Sequence, residues 1–262
     1  MPRLTLIGLL FCLLTASPVV ADPRPFTFTY DAYPEGKGNV EYEQWVTFQR
    51  HTDNDSDFTR LAFRHEFEIG VADNFDLSLY VASWSYEDSD ERTGTHFDES
   101  SIEGIVYLTN PVTDPVGIGL YAEFVVGEDA LEFEQKLILH KDIGNWTFAY
   151  NLVLETELEG VFNDEKENEV EGVIGHDFGI AYSLSPAWRV GGELTVESIF
   201  DDWSHYEDTV VYLGPAISYQ GGRFDVANHN LGWWVTLTPA FQVTSVDDEP
   251  DFQVRLIAAL EF

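Results

Sequence analysis

Carboxylates recur at alternate positions across much of this chain, and that spacing is its first hint of chemistry. Glu41 and Glu43, Glu66 and Glu68, Glu132 and Glu134, and Glu155 and Glu157 are such pairs, joined by Asp76, Glu103, Glu123, Asp177, Glu193 and Glu197. In an extended strand, residues two apart share one face. The acids would therefore stand together, with Arg60, Arg64, Lys136, Arg189 and Arg255 on the same parity. Carboxylates around an enclosed, water-filled space raise the local cation concentration and repel anions. The same side chains could instead pair into a network that plugs a narrow interior and stiffens it. The residues expected to set selectivity are Glu66, Glu68, Glu123, Glu132, Glu134, Glu155 and Glu193, with Arg64, Lys136, Arg189 and Arg255.

Aromatic side chains fall on that polar parity too: Trp45, Tyr80, Trp84, Tyr86, Tyr107, Tyr121, Tyr212 and Trp234. They are suited either to stacking against a sugar or aromatic solute or to filling space against neighbouring strands. Other chemistries find less support. Asp53, Asp55 and Asp57 begin like a calcium loop, but Phe58 stands where a glycine is required and Arg64 where the bidentate glutamate belongs. His65 and His176 fall on the apolar parity, and neither Ser183 nor Ser198 is placed to serve as a nucleophile beside them. No glycine-rich phosphate loop or zinc spacing occurs, so no cofactor is expected and the chain is read as a non-enzyme. The only cysteine is Cys12.

The elements that carry these residues read as strands throughout. Val40, Tyr42, Val46 and Phe48 alternate with polar neighbours, as do Leu61, Phe63, Phe67, Ile69 and Val71. After Ala72, Asp73 and Asn74, Phe75, Leu77, Leu79 and Val81 resume the pattern, which is a hairpin signal. Similar runs continue to Phe262. They make about twelve strands of about ten residues, the length a tilted strand needs to cross a bilayer. So many strands close into a barrel too wide for its own side chains to fill. Apolar faces outward and polar faces inward then predict an all-β, antiparallel transmembrane β-barrel with meander topology. Tyr42, Phe75, Trp146, Tyr182, Trp188, Tyr219, Trp233 and Phe262 form an expected interfacial girdle near the short turns. Pro215 and Pro239 lie inside expected strands, where each removes a ladder donor and marks a bulge, a weak seam or a misplaced strand.

Residues 1–21 read as a signal peptide: Arg3, an apolar run from Leu4 to Leu14, then Val19, Val20 and Ala21 at the cleavage positions. Residues 22–39 are expected to form an N-terminal periplasmic segment and 40–262 the barrel. Long acidic connections such as 87–100, 159–169 and 200–208 alternate with short ones at 72–74, 142–145 and 185–187, the asymmetry of external loops and periplasmic turns. A net charge of −34 excludes nucleic acid as a partner. The acidic outer loops leave room for weak binding of calcium or magnesium, which would bridge to lipopolysaccharide phosphates.

The closing run Phe252–Phe262, with its terminal aromatic, resembles the last strand of bacterial outer-membrane β-barrel proteins, which carries the signal read by the barrel assembly machinery. The hairpin from Glu66 to Tyr80 is similar to hairpins of the outer-membrane family named for the MetA pathway of phenol degradation. That resemblance implies a small-molecule transport barrel and assigns no individual residue a role. The expectation is a barrel in the outer membrane of a Gram-negative-type bacterium, passing small solutes through an acidic, cation-favouring lumen. The alternatives are a closed barrel for structure or surface attachment and, third, an outer-membrane lipid hydrolase.

Overall fold

The computed structural model describes residues 23–90, 92–162, 168–226 and 229–262. Strands β1 (Val40–Arg50), β2 (Thr59–Ala72), β3 (Phe75–Asp88), β4 (Thr93–Thr109) and β5 (Gly117–Gly127) follow one another as antiparallel neighbours. The meander continues through β6 (Ala130–Ile143), β7 (Trp146–Glu159), β8 (Glu169–Ser183), β9 (Trp188–Asp201) and β10 (His205–Gln220). A short β11 (Phe224–Val226) makes a hairpin with the start of β12 (His229–Gln242), and β13 (Phe252–Glu261) completes the set. β10 pairs with β12, and β13 pairs with β1, so twelve strands close into a barrel with β11 outside the ring. Closure joins the first and last strands of the ring, the condition a strand structure must meet in lipid.

Alternation sets the two faces of the wall. Phe67, Leu79, Leu120, Phe148, Phe178 and Leu213 are exposed, while the glutamates between them are buried. Aromatic contacts knit the outer face at the short-turn end, where the Trp146 and Tyr182 rings lie 4.9 Å apart, Trp188 and Tyr219 4.5 Å, and Tyr219 and Trp233 5.5 Å. At the long-loop end Phe241 packs on Phe252 at 5.0 Å.

Three departures from strict alternation have local causes. Ala82 adopts a positive φ of 51°, and the register of β3 shifts against both neighbours around it. This bulge inserts one residue and exchanges the faces beyond it. Trp84 and Tyr86, expected in the lumen, therefore point outward, and Ser83 and Ser85 take the inner positions. Trp84 stacks on Phe63 with ring centroids 4.3 Å apart. Second, much of the expected loop 87–100 is strand, because β3 and β4 stay paired out to Asp88 and Thr93. Third, Pro215 and Pro239 do sit within strands: the β10–β12 ladder is interrupted between the Leu213–Phe241 and Ile217–Leu237 pairs. A Cβ on Gly214 would lie 1.8 Å from the Pro239 carbonyl oxygen, so only glycine permits this approach.

Candidate functional site: an acidic lumen and the segment that fills it

The lumen-facing carboxylates form rows, because antiparallel register sets them directly opposite one another. Glu103 faces Glu123, which faces Glu134, which faces Glu155, across β4 to β7. A second row runs from Glu132 through Glu157 and Glu171 to Asp201, across β6 to β9. Two cations meet the first row, and a third, Arg255, stands in the same space. Arg64 bridges Glu99 at 3.2 Å and Glu123 at 2.9 Å. Lys136 holds Glu134 at 2.8 Å. Arg255 donates to Thr47 Oγ1 at 3.1 Å and lies 4.3 Å over the Phe28 ring. All of these charged groups except Glu103, Glu157 and Asp201 line a cavity of about 400 Å³ toward the long-loop end, with nine acidic and three basic residues in its wall. The register thus brings Glu123, Glu132, Glu134, Glu155, Arg64, Lys136 and Arg255 of the expected set into one space.

The remaining expected residues serve elsewhere. Glu66, Glu68 and Glu193 lie nearer the short-turn end, with side chains against the N-terminal segment or its root, and Arg189 reaches the carbonyl of Pro23 at 2.7 Å. The lumen aromatics act as hydrogen-bond donors to carboxylates. Trp45 Nε1 reaches Glu43 at 2.6 Å and Glu66 at 3.1 Å, Trp234 Nε1 reaches Glu41 at 2.9 Å, and the Tyr80 hydroxyl reaches Glu103 at 2.9 Å. A buried carboxylate needs such donors.

The N-terminal segment is docked inside the barrel. Residues 23–35 loop through its short-turn half. Glu193 accepts the backbone amides of Thr27, Phe28 and Thr29 at 2.8, 2.7 and 2.9 Å, and the Thr238 hydroxyl at 2.6 Å. Asn151 accepts the Tyr30 amide at 2.7 Å and donates to its carbonyl at 3.0 Å. His140 Nδ1 accepts the Ala32 amide at 3.2 Å, and the Tyr33 hydroxyl donates to Asp142. Phe26 is 1% exposed and packs with Ala149, Ala181 and Ala216. A Cβ on Gly179 would come within 2.6 Å of its ring, so these small residues make the seat. Phe28 and Tyr30 form the floor of the acidic cavity.

The physical reason for this insertion is twofold. The barrel is too wide to be filled by its wall, and the wall supplies partners for a backbone that has no strand neighbour of its own. Arg24 lies 3.2 Å from Glu43 and 4.1 Å from the Tyr30 ring centroid. Burial opposes its charge, yet Glu43, Tyr30 and Glu66 hold its pKa above the ordinary value. Burial, then the charges of Asp76, Glu43 and Glu261, push Glu35 up to about 8. Sequence reasoning missed Asn151, His140 and the Phe26 seat. The available signals were the alternating Phe26, Phe28 and Tyr30 before the first barrel strand, and the small residues at 149, 179, 181 and 216 on inward positions.

On the outer face the two histidines have tyrosine partners: Tyr42 Oη lies 3.1 Å from His65 Nδ1, and Tyr150 Oη lies 2.9 Å from His176 Nδ1. Ser198 Oγ lies 3.0 Å from Thr209 Oγ1. The signal-peptide expectation, residues 1–21, falls outside the described residues.

Solved structures share this architecture. An outer membrane channel from Pseudomonas putida F1 superposes with a TM-score of 0.60, covering 88% of this chain and 98% of its own length at 13% identity. The porin NanC superposes with a TM-score of 0.53, covering 84% of this chain and 98% of its own at 8% identity. At these identities the likeness is one of fold. No curated protein matches the chain. The family of unknown function DUF6662 matches residues 18–254, nearly the whole of the barrel and the segment inside it, and this chain belongs to that family.

Proposed function

We propose that the protein is an outer-membrane channel for small cationic and neutral solutes, closed on the periplasmic side by its own N-terminal segment. The apolar outer face, its aromatic belts and the fold shared with outer membrane barrels support the membrane setting. Short turns face the periplasm and longer loops the exterior in such barrels. On that orientation the acidic cavity opens outward and the inserted segment is its periplasmic floor. The similarity of the Glu66–Tyr80 hairpin to a family of transport barrels supports the same reading. The acidic outer loops fit divalent cations that bridge to lipopolysaccharide, and the closing strand fits the barrel assembly machinery.

The observation that carries the proposal is the pair of carboxylate rows. Like charges directly opposite across strands destabilise a sheet, so a wall built for stiffness alone would alternate acids with bases. Nine acids against three bases around one cavity favour a wetted, cation-concentrating space. A closed structural barrel is the second reading, favoured by the dense anchoring of the segment on Glu193 and Asn151. A liposome-swelling assay separates them. A chain lacking residues 23–34 should let small sugars through faster than the full chain. Sugar-loaded liposomes that stay intact with both chains would leave the closed barrel as the answer.

A further inference from the structure

Where the inserted segment turns into β1, three carboxylates converge without a counter-charge of their own. Oxygens of Glu35, Glu41 and Glu68 all lie within 4.8 Å of one another, and all three residues are buried. Glu41 and Glu68 are direct partners across β1 and β2, and Glu41 also faces Glu261 across the β1–β13 pairing that closes the barrel. The Glu41 carboxylate accepts the Trp234 indole. Those of Glu35 and Glu68 accept no hydrogen bond and form no ion pair with the described residues. The guanidinium of Arg24 is engaged by Glu43 at 3.2 Å, and that of Arg223 by Glu261 at 3.4 Å.

A second observation points into the same place. Asp76 is 1% exposed, and its Oδ2 accepts the Glu35 amide at 2.9 Å. Its Oδ1 is buried with no partner. Glu68 is 8% exposed and also unpartnered. Buried carboxylates normally have donors or a cation, because burial penalises each charge and mutual repulsion adds to it. Here three carboxyl groups converge with Asp76 beside them, and few donors reach them.

We infer that Glu35, Glu41 and Glu68, with Asp76 at the edge, form a calcium site that clamps the root of the inserted segment to the closing seam of the barrel. The donor set is all oxygen, which selects a hard cation over zinc or copper. Calcium accepts several mono- or bidentate carboxylates in irregular geometry, whereas magnesium demands a near-octahedral shell and keeps its waters. The surrounding backbone is already fixed: Gly38 N donates to Gly70 O at 2.7 Å and Gly70 N to Asn39 O at 3.0 Å. An ion here would tie Glu35 of the segment to the paired strands β1 and β2. The inference does not depend on whether the lumen conducts.

Terbium, which substitutes for calcium and is excited through a nearby indole, gives a direct test on the purified full chain in detergent. Trp234, hydrogen-bonded to Glu41, is the sensitiser. Tryptophan-excited terbium emission should appear, be displaced by calcium, and be lost in Glu68→Gln. Glu157→Gln, which alters the separate acidic group near the long-loop end, should leave that emission intact. Should Glu68→Gln fail to assemble, Glu35→Gln changes a residue outside the barrel wall and should lose the same emission. No calcium-displaceable emission in the wild type, or emission unchanged in Glu35→Gln, would overturn the site and leave protonated carboxyls as the way these charges are silenced.

Discussion

Glu193 shows how one lumen side chain decides the state of the interior. Its two oxygens hold three successive amides of the inserted segment. Glu193→Leu would leave those amides buried and unsatisfied, at a cost of about 3 kcal/mol or more. Urea unfolding should therefore shift to lower concentration, and protease should cut the segment sooner. Glu35 gives the same contact a pH dependence. Its carboxyl ionises near 4.5 when free and near 8 when docked. Below 4.5 it is neutral in both states and costs nothing. As pH rises, the released form loses its proton first, and the penalty on docking is complete above about 8. In chelator, protease sensitivity of the segment should increase from pH 5 to pH 9; a decrease would mean that Glu35 is not buried among Asp76, Glu43 and Glu261. The inward position of Glu193 was legible from strand parity. Its partner was not, because the amides it binds belong to a stretch that has no place in the strand rhythm.

At the scale of elements, alternation was enough to place the twelve strands, and it failed where the backbone itself departed from period two. Nothing in Tyr80, Val81 and Ala82 marks a bulge, so Trp84 and Tyr86 were assigned to the wrong face. Deleting Ala82 should restore strict alternation and draw Trp84 inward. Brominated lipid, which quenches outward indoles, should then quench the protein less than wild type, whereas unchanged quenching would place Trp84 outside by some other cause. The two prolines were legible as trouble and proved to be an interrupted ladder between β10 and β12. Gly214→Val should force those strands apart, since even a Cβ meets the Pro239 carbonyl. The folded band in unboiled gels should be lost at a lower temperature than in wild type. The docking of the inserted segment is the largest feature that the sequence alone did not show. Its alternating Phe26, Phe28 and Tyr30 were visible, but the docking partners lie more than a hundred residues away on β6, β7 and β9.

For the molecule as a whole, width is the governing constraint. Twelve strands enclose more space than their inward side chains fill, and this chain fills part of it with its own N-terminus and leaves a cavity lined with acid. Phe26→Ala, which empties the seat made by Ala149, Gly179, Ala181 and Ala216, should weaken closure with a penalty of about 3 kcal/mol. Current through the variant should flicker open more often than through wild type. The central claim is that the carboxylate rows select cations. The most direct measurement is the zero-current potential of the chain lacking residues 23–34, in a planar bilayer under a potassium chloride gradient. A potential of the sign expected for potassium flow, reduced when Glu134 and Glu155 are both changed to glutamine, is the predicted result. A potential of the sign set by chloride would contradict the account.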